Sequence, residues 1–230
     1  MGYLELSKME KEEQKETKKN KSLLYSIITI VSFVVILGLV LIGIKLFGPD
    51  DINDITEEII EKGNTEHGYM YNGFVFIYQD NLWHTKWQRG DVLYNAHFHY
   101  GPLDVIDVPV IGHLNTELDT TKFYVTFDPL EKNISLIGLG AAELGLSLVK
   151  VMGVKITPAC YRNITKGCYK RPIITCDNTD EGVIFIKSDE ITKVTLKDNC
   201  ITLQGKGDNL LKAVDKVLFN LYGIVEHEQD

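Results

Sequence analysis

The run Leu23–Ile44 constrains this chain more than any other feature, because it holds 22 consecutive residues without a charge, rich in Leu, Ile and Val. As a helix it would be about 33 Å long at roughly 1.5 Å per residue, enough to cross a hydrocarbon core of about 30 Å. A backbone in lipid must satisfy its own hydrogen bonds, so such a run is expected to be helical. It is too long for the apolar core of a cleaved signal peptide, and Leu46-Phe47-Gly48-Pro49 offers no small-residue cleavage pattern. Tyr25 and Phe47 stand where interfacial aromatics belong, and Lys45 can extend its amine toward water. The segment therefore reads as an uncleaved signal-anchor over 22–47, with the lipid bilayer as its partner.

The flanks set its expected orientation. Lys8, Lys11, Lys15, Lys18, Lys19 and Lys21 precede the run, whereas Asp50, Asp51, Asp54, Glu57, Glu58 and Glu61 follow it. The positive-inside rule then places the N-terminus in the cytoplasm and the C-terminal domain outside, in a single-pass cell-membrane protein. The expected organisation is a charged cytoplasmic tail (1–21), the anchor (22–47), an acidic stalk (48–66) and an extracytoplasmic domain (67–230). That domain divides into a β-rich part (67–118) and an α/β part (119–230). The formal net charge is -8, and the outer part is the acidic one. Nucleic acid is excluded as a partner, since it demands clustered Lys and Arg.

All four cysteines, Cys160, Cys168, Cys176 and Cys200, fall on the expected outer side. An even count in an oxidising compartment reads as two disulfides, for which three connectivities are open. Cys160 with Cys168 closing a short loop, and Cys176 with Cys200 bridging two strand-like runs, is the favoured arrangement. A zinc site is the weaker reading, because no CxxC or CxxH pair occurs. Asn133-Ile-Ser and Asn163-Ile-Thr are glycosylation sequons that would face outward.

The outer domain reads as α+β. Strands are expected over Tyr71–Tyr78, Leu82–Gln88, Val92–His99, Phe123–Phe127, Val154–Cys160, Ile173–Cys176 and Val183–Lys187. A hairpin joins Lys193–Lys197 to Cys200–Gln204 through Asp198-Asn199. Helices are expected over Gly140–Met152, stopped by Gly153, and from Asp208 to about Tyr222, stopped by Gly223. Two helices packed on a mixed sheet follow from that order.

Chemistry-bearing residues are few. His97 and His99 alternate on one strand and His84 lies on its neighbour, so the three could converge on a metal; His67, His113, Asp91, Asp104 and Asp107 are looser candidates. The plainer reading is an aromatic strand surface. Its Trp83, Trp87, Tyr94 and Tyr100 could instead form a face for a protein partner at the cell surface. Asp104 and Asp107 could serve as acid and base. No GxSxG, HExxH, P-loop or GxGxxG pattern occurs, so no cofactor is expected and a binding or assembly module is favoured over a metal-dependent hydrolase.

Two resemblances add to this. Gly153 followed by Val154-Lys155-Ile156-Thr157-Pro158 resembles the helix-to-strand segment of thioredoxin-like folds that carries a cis-proline. That implies a thioredoxin-like C-terminal half, but Leu136-Ile-Gly-Leu-Gly-Ala stands where the redox cysteines would be, so disulfide exchange is not implied. The stretch Lys170–Ile224, with RPIITC, NCITLQG and AVDKVLFNLYGI, together with FHYGP upstream, is similar to single-pass membrane proteins of small-genome archaea. That resemblance implies a membrane-anchored outer domain with cysteines and no particular activity.

Overall fold

A computed structural model describes residues 28–43 and 52–225, the chain dividing between Asp51 and Ile52 into two compact units. The expected tail at 1–21, both ends of the expected anchor, residues 48–51 of the expected stalk and the last five residues lie outside the described residues. In the first unit, α1 (Ile28–Gly43) is a single apolar helix. Its large side chains, from Ile28 at 53% exposure through Phe33 at 67% to Ile42 at 56%, are all at least half exposed. A helix apolar on every side is unlike the one-faced helices of a water-soluble fold.

The second unit is α+β, with helices held between two sheets. It opens with α2 (Ile52–Lys62), so most of the segment expected as a stalk is a helix whose Ile55 and Ile59 are buried with Ile77 of the first sheet. That sheet is antiparallel, in the order β1 (Gly68–Tyr71), β2 (Phe74–Gln79), β3 (Leu82–Arg89), β4 (Val92–Phe98). The single strand expected over Tyr71–Tyr78 is broken at Asn72-Gly73, both at positive φ (46° and 83°). Asn-Gly is the favoured pair for a two-residue hairpin, and here it outweighs the alternation of aromatics around it. Asp80-Asn81, also at positive φ, makes the second tight turn as expected.

The second sheet has six strands in the order β5 (Val110–Leu114), β9 (Lys193–Asp198), β10 (Cys200–Gly205), β8 (Gly182–Ser188), β6 (Lys122–Thr126), β7 (Lys155–Pro158). It is mixed: β10 is antiparallel to β9, while β5 with β9, β10 with β8, β8 with β6 and β6 with β7 are parallel. Between β6 and β7 runs α3 (Ile134–Ser147), extended by a π-helical turn over Leu148–Met152 and stopped by Gly153 in the left-handed region at φ 71°. The helix starts earlier than the expected Gly140, because Gly138 and Gly140 do not break it. Gly140 instead allows α3 to approach Val214, whose methyl lies 3.0 Å from where a Cβ would be.

By length and composition Ile134–Met152 could cross a membrane. Yet both its ends feed adjacent parallel strands, and Ile137, Leu144, Leu148 and Val151 are buried. One face of it belongs to the core of the domain, while Leu139, Leu146 and Val149 are exposed.

The last helix, α4 (Asn209–Leu221), matches its expected span and lies at the centre of the second unit. Every residue from Ala213 to Phe219 is buried, because one side meets the six-stranded sheet and the other meets the four-stranded one. Phe219 packs against Phe76 and Phe98 with ring centroids 5.8 Å and 4.4 Å apart.

The far face of the six-stranded sheet is covered by the 159–181 connection, where Tyr161 stacks on Phe185 at 5.0 Å and Thr126 Oγ1 donates to Ile174 O at 3.0 Å. The disulfide Cys176–Cys200 ties it to β10 and Cys160–Cys168 closes a loop within it, with Cα separations of 5.5 Å and 5.8 Å, in the connectivity the spacing favoured. The strand expected over Ile173–Cys176 reduces to one bridge between Cys160 and Ile173.

Candidate functional site

Three places bring together groups with chemical or binding potential, all in the second unit. The first is the histidine pair. His84 and His97 stand directly opposite on β3 and β4, in the same cross-strand row as Ile77, and their rings meet edge to face at 4.8 Å. His84 Nε2 lies 2.9 Å from Gln79 O. Burial lowers the pKa of His97, and the charges of His84 and Lys150 lower it further, so the neutral ring is favoured. His99 does not complete the expected trio, because β4 ends at Phe98 and the His99 ring turns to α3. Among the described residues no group of three or more His, Cys, Asp or Glu side chains is arranged to hold a metal ion.

The second place is built around His99. Its Nδ1 lies 3.1 Å from Glu143 Oε1 on α3, at ion-pair distance, and both side chains are about a quarter exposed (27% and 28%). Beneath them Asp215 of α4 is almost wholly buried, and its Oδ2 accepts the Tyr100 N–H at 2.9 Å. Burial pushes the Asp215 carboxyl well above the usual carboxylate range, against the pull of the Tyr100 and His99 backbone N–H groups, and the Glu143 charge raises it further. Glu143 is also raised by burial, with His99 opposing. The arrangement can hold a proton, but neither cavity described below opens onto it. It ties the exit of β4 to α3 and α4. Asp104 has a similar local role, since its Oδ2 accepts the Gly101 N–H at 2.8 Å.

The aromatics expected as a partner face are turned mostly inward. Trp87 donates to Tyr222 O at 2.8 Å and packs on the Tyr222 ring at 5.1 Å, with Tyr94 beside it at 6.1 Å. Trp83 meets Tyr69 edge-on at 4.9 Å, and Tyr100 lies under the Lys212 ammonium at 5.0 Å. These side chains join the four-stranded sheet to the helical layer. Of the two sequons, Asn133 caps α3 and reaches Ser188 Oγ at 3.4 Å, whereas Asn163 is exposed on the loop closed by Cys160–Cys168.

The third place was not anticipated from the sequence. An apolar cavity of about 360 Å³ lies between the six-stranded sheet and the helices. Leu144 and Ile184, both essentially unexposed, reach its innermost wall, and Phe123, Ile201 and Val217 continue it. Its outer lining includes Thr120, Thr121, Met152 and the 37%-exposed Leu221, and no charged side chain takes part. The π-helical turn contributes Leu148 and Met152. A π turn inside an apolar helix is a recurrent mark of functional sites, but it leaves no local signal in residue spacing. A separate polar cleft of about 430 Å³ lies along the same β5–β6 connection, lined by Asn115, Leu118 and Asn199 together with five carboxylates and Lys122.

No protein-family model, curated protein or solved structure matches this chain.

Proposed function

We propose that the chain is a membrane-anchored extracytoplasmic binding module: its N-terminal helix inserts in the bilayer, and its disulfide-bonded α+β domain engages a ligand or a protein partner outside. One observation carries this reading. The helix α1 is uncharged and at least half exposed at every large apolar side chain. Lysines before it and carboxylates after it favour a cytoplasmic N-terminus. The two disulfides, with no free cysteine among the described residues, fit an oxidising compartment.

A binding role is preferred to catalysis because the apolar cavity has no titratable group in its lining, while the buried carboxyl of Asp215 lines neither this cavity nor the polar cleft. A thioredoxin-like origin for the C-terminal half is supported by the parallel β6–α3–β7 unit that ends at Pro158, although the peptide there is trans and α3 carries no cysteine. Similarity to single-pass proteins of small-genome archaea would place the chain at their cell surface.

Washing membranes that contain the full chain with alkaline carbonate tests the anchor. The chain is expected to stay with the lipid pellet, and its release into the wash would overturn the reading.

A further inference from the structure

The apolar cavity is closed on its inner side and open on its outer one. Leu144 (0% exposed) and Ile184 (1%) form the inner wall, whereas Thr120, Thr121 and Leu221 reach the surface. Among the described residues of its lining none is charged, and only Thr120 and Thr121 carry a polar side chain. The π turn that ends α3 is part of the wall: the Gly153 N–H reaches back five residues to Leu148 O, and both Leu148 and Met152 line the hollow. Such turns are rare and recur at functional sites. Protein interiors leave few voids larger than a water molecule, and an empty one forfeits contacts along its whole wall. Small-molecule sites span roughly 300–1,000 Å³ and are mostly apolar. The cavity, at about 360 Å³, falls at the small end of that range.

From this we infer that the cavity binds one small, neutral, hydrocarbon-like molecule carrying no more than a single hydroxyl. The inference rests on the binding-module reading and names its ligand class. Size follows from volume. A dry apolar cavity of about 150 Å³ takes up one benzene, so on the same scale about 360 Å³ takes roughly fourteen carbon atoms. Neutrality follows from the lining. A carboxylate or ammonium drawn inside would lose its hydration with no charged partner to replace it. A hydroxyl is accommodated only at the Thr120–Thr121 end, because the side chains around Leu144 and Ile184 offer it no hydrogen bond.

The full chain in lipid nanodiscs, with its methionine methyl groups labelled with carbon-13, provides the test. Met152 lines the cavity, whereas Met70 lies on β1 of the other sheet and serves as the control. The probes are two alcohols, 1-decanol and 1-adamantanol, and the matching carboxylates, decanoate and adamantane-1-carboxylate. They are titrated at pH 7, with free concentrations corrected for partition into empty nanodiscs. The expected result is a saturable shift of the Met152 methyl with an alcohol, at least tenfold weaker affinity for its carboxylate, and no movement of Met70. Thr120→Trp and Leu221→Trp, each at an exposed position of the lining, should weaken the alcohol at least fivefold while the Met70 signal stays native. No saturable Met152 shift with either alcohol overturns the site. A carboxylate binding as tightly as its alcohol overturns the neutral ligand, and unchanged affinity in both tryptophan variants overturns the location. The carbonate wash reads the anchor alone, so the two readings fail separately.

Discussion

Asp215 is the residue whose chemistry is most at odds with its surroundings. A carboxyl sealed in the central helix must be neutral or must draw on the Tyr100 and His99 backbone N–H groups. Its pKa is raised in the folded chain above the unfolded value of about 3.9. Between those two values the folded state binds the extra proton, so this group's contribution to stability is complete at low pH and is lost as pH rises toward the folded pKa. Glu143, also raised by burial, contributes in the same direction. Asp215→Asn keeps an oxygen to accept the Tyr100 N–H and removes the titration. Its stability relative to the native chain should therefore grow as pH rises from 4 to 7 and converge with it below pH 4. Urea midpoints of the detergent-solubilised chain measure this; parallel midpoint curves would contradict it. Asp215 could not be singled out from sequence. Its spacing among Leu211, Val214 and Leu218 marks it as a boundary residue of an amphipathic helix, and only the four-stranded sheet laid over α4 turns that boundary into interior.

At the scale of elements, α4 and the β9–β10 hairpin were legible because their signals are local. Helical spacing ending at Gly223 and the Asp198-Asn199 turn need no distant partner. The Asn72-Gly73 turn was equally local, yet the Phe74 and Phe76 alternation obscured it. What spacing could not show was that Trp83, Trp87 and Tyr94 face α4, since burial of a strand face depends on what the chain lays over it. The same holds for the 159–181 connection, which has little regular structure and is tied to its sheet by Cys176–Cys200. The Cys176–Cys200 bridge closes a separation of 24 residues and the Cys160–Cys168 bridge one of 8. Loop-closure entropy then assigns about 3.5 kcal/mol to the first and about 2.5 kcal/mol to the second. Chemical denaturation of Cys176→Ser with Cys200→Ser should show the larger loss; an equal or smaller loss than for Cys160→Ser with Cys168→Ser would show that strain or unfolded-state structure dominates.

At the scale of the whole molecule, two apolar helices differ in burial. The Ile134–Met152 stretch returns at both ends to adjacent strands and buries one face in the core. Ile28–Gly43 stands in its own unit with its apolar surface open. Uninterrupted length is a strong signal in a sequence, which is why the apolar run stands out there, whereas the cavity beneath α3 depends on a π turn and on strands far apart in the chain. The central claim is that this anchor holds the disulfide-bonded domain outside the membrane. Lys86, exposed on β3, and Ser7, in the N-terminal tail, replaced singly by cysteine and treated on intact cells with a membrane-impermeant maleimide, test it most directly. Labelling of Lys86→Cys before lysis, with Ser7→Cys labelled only after lysis, is the predicted result. The reverse pattern, or protection of both until lysis, would contradict it.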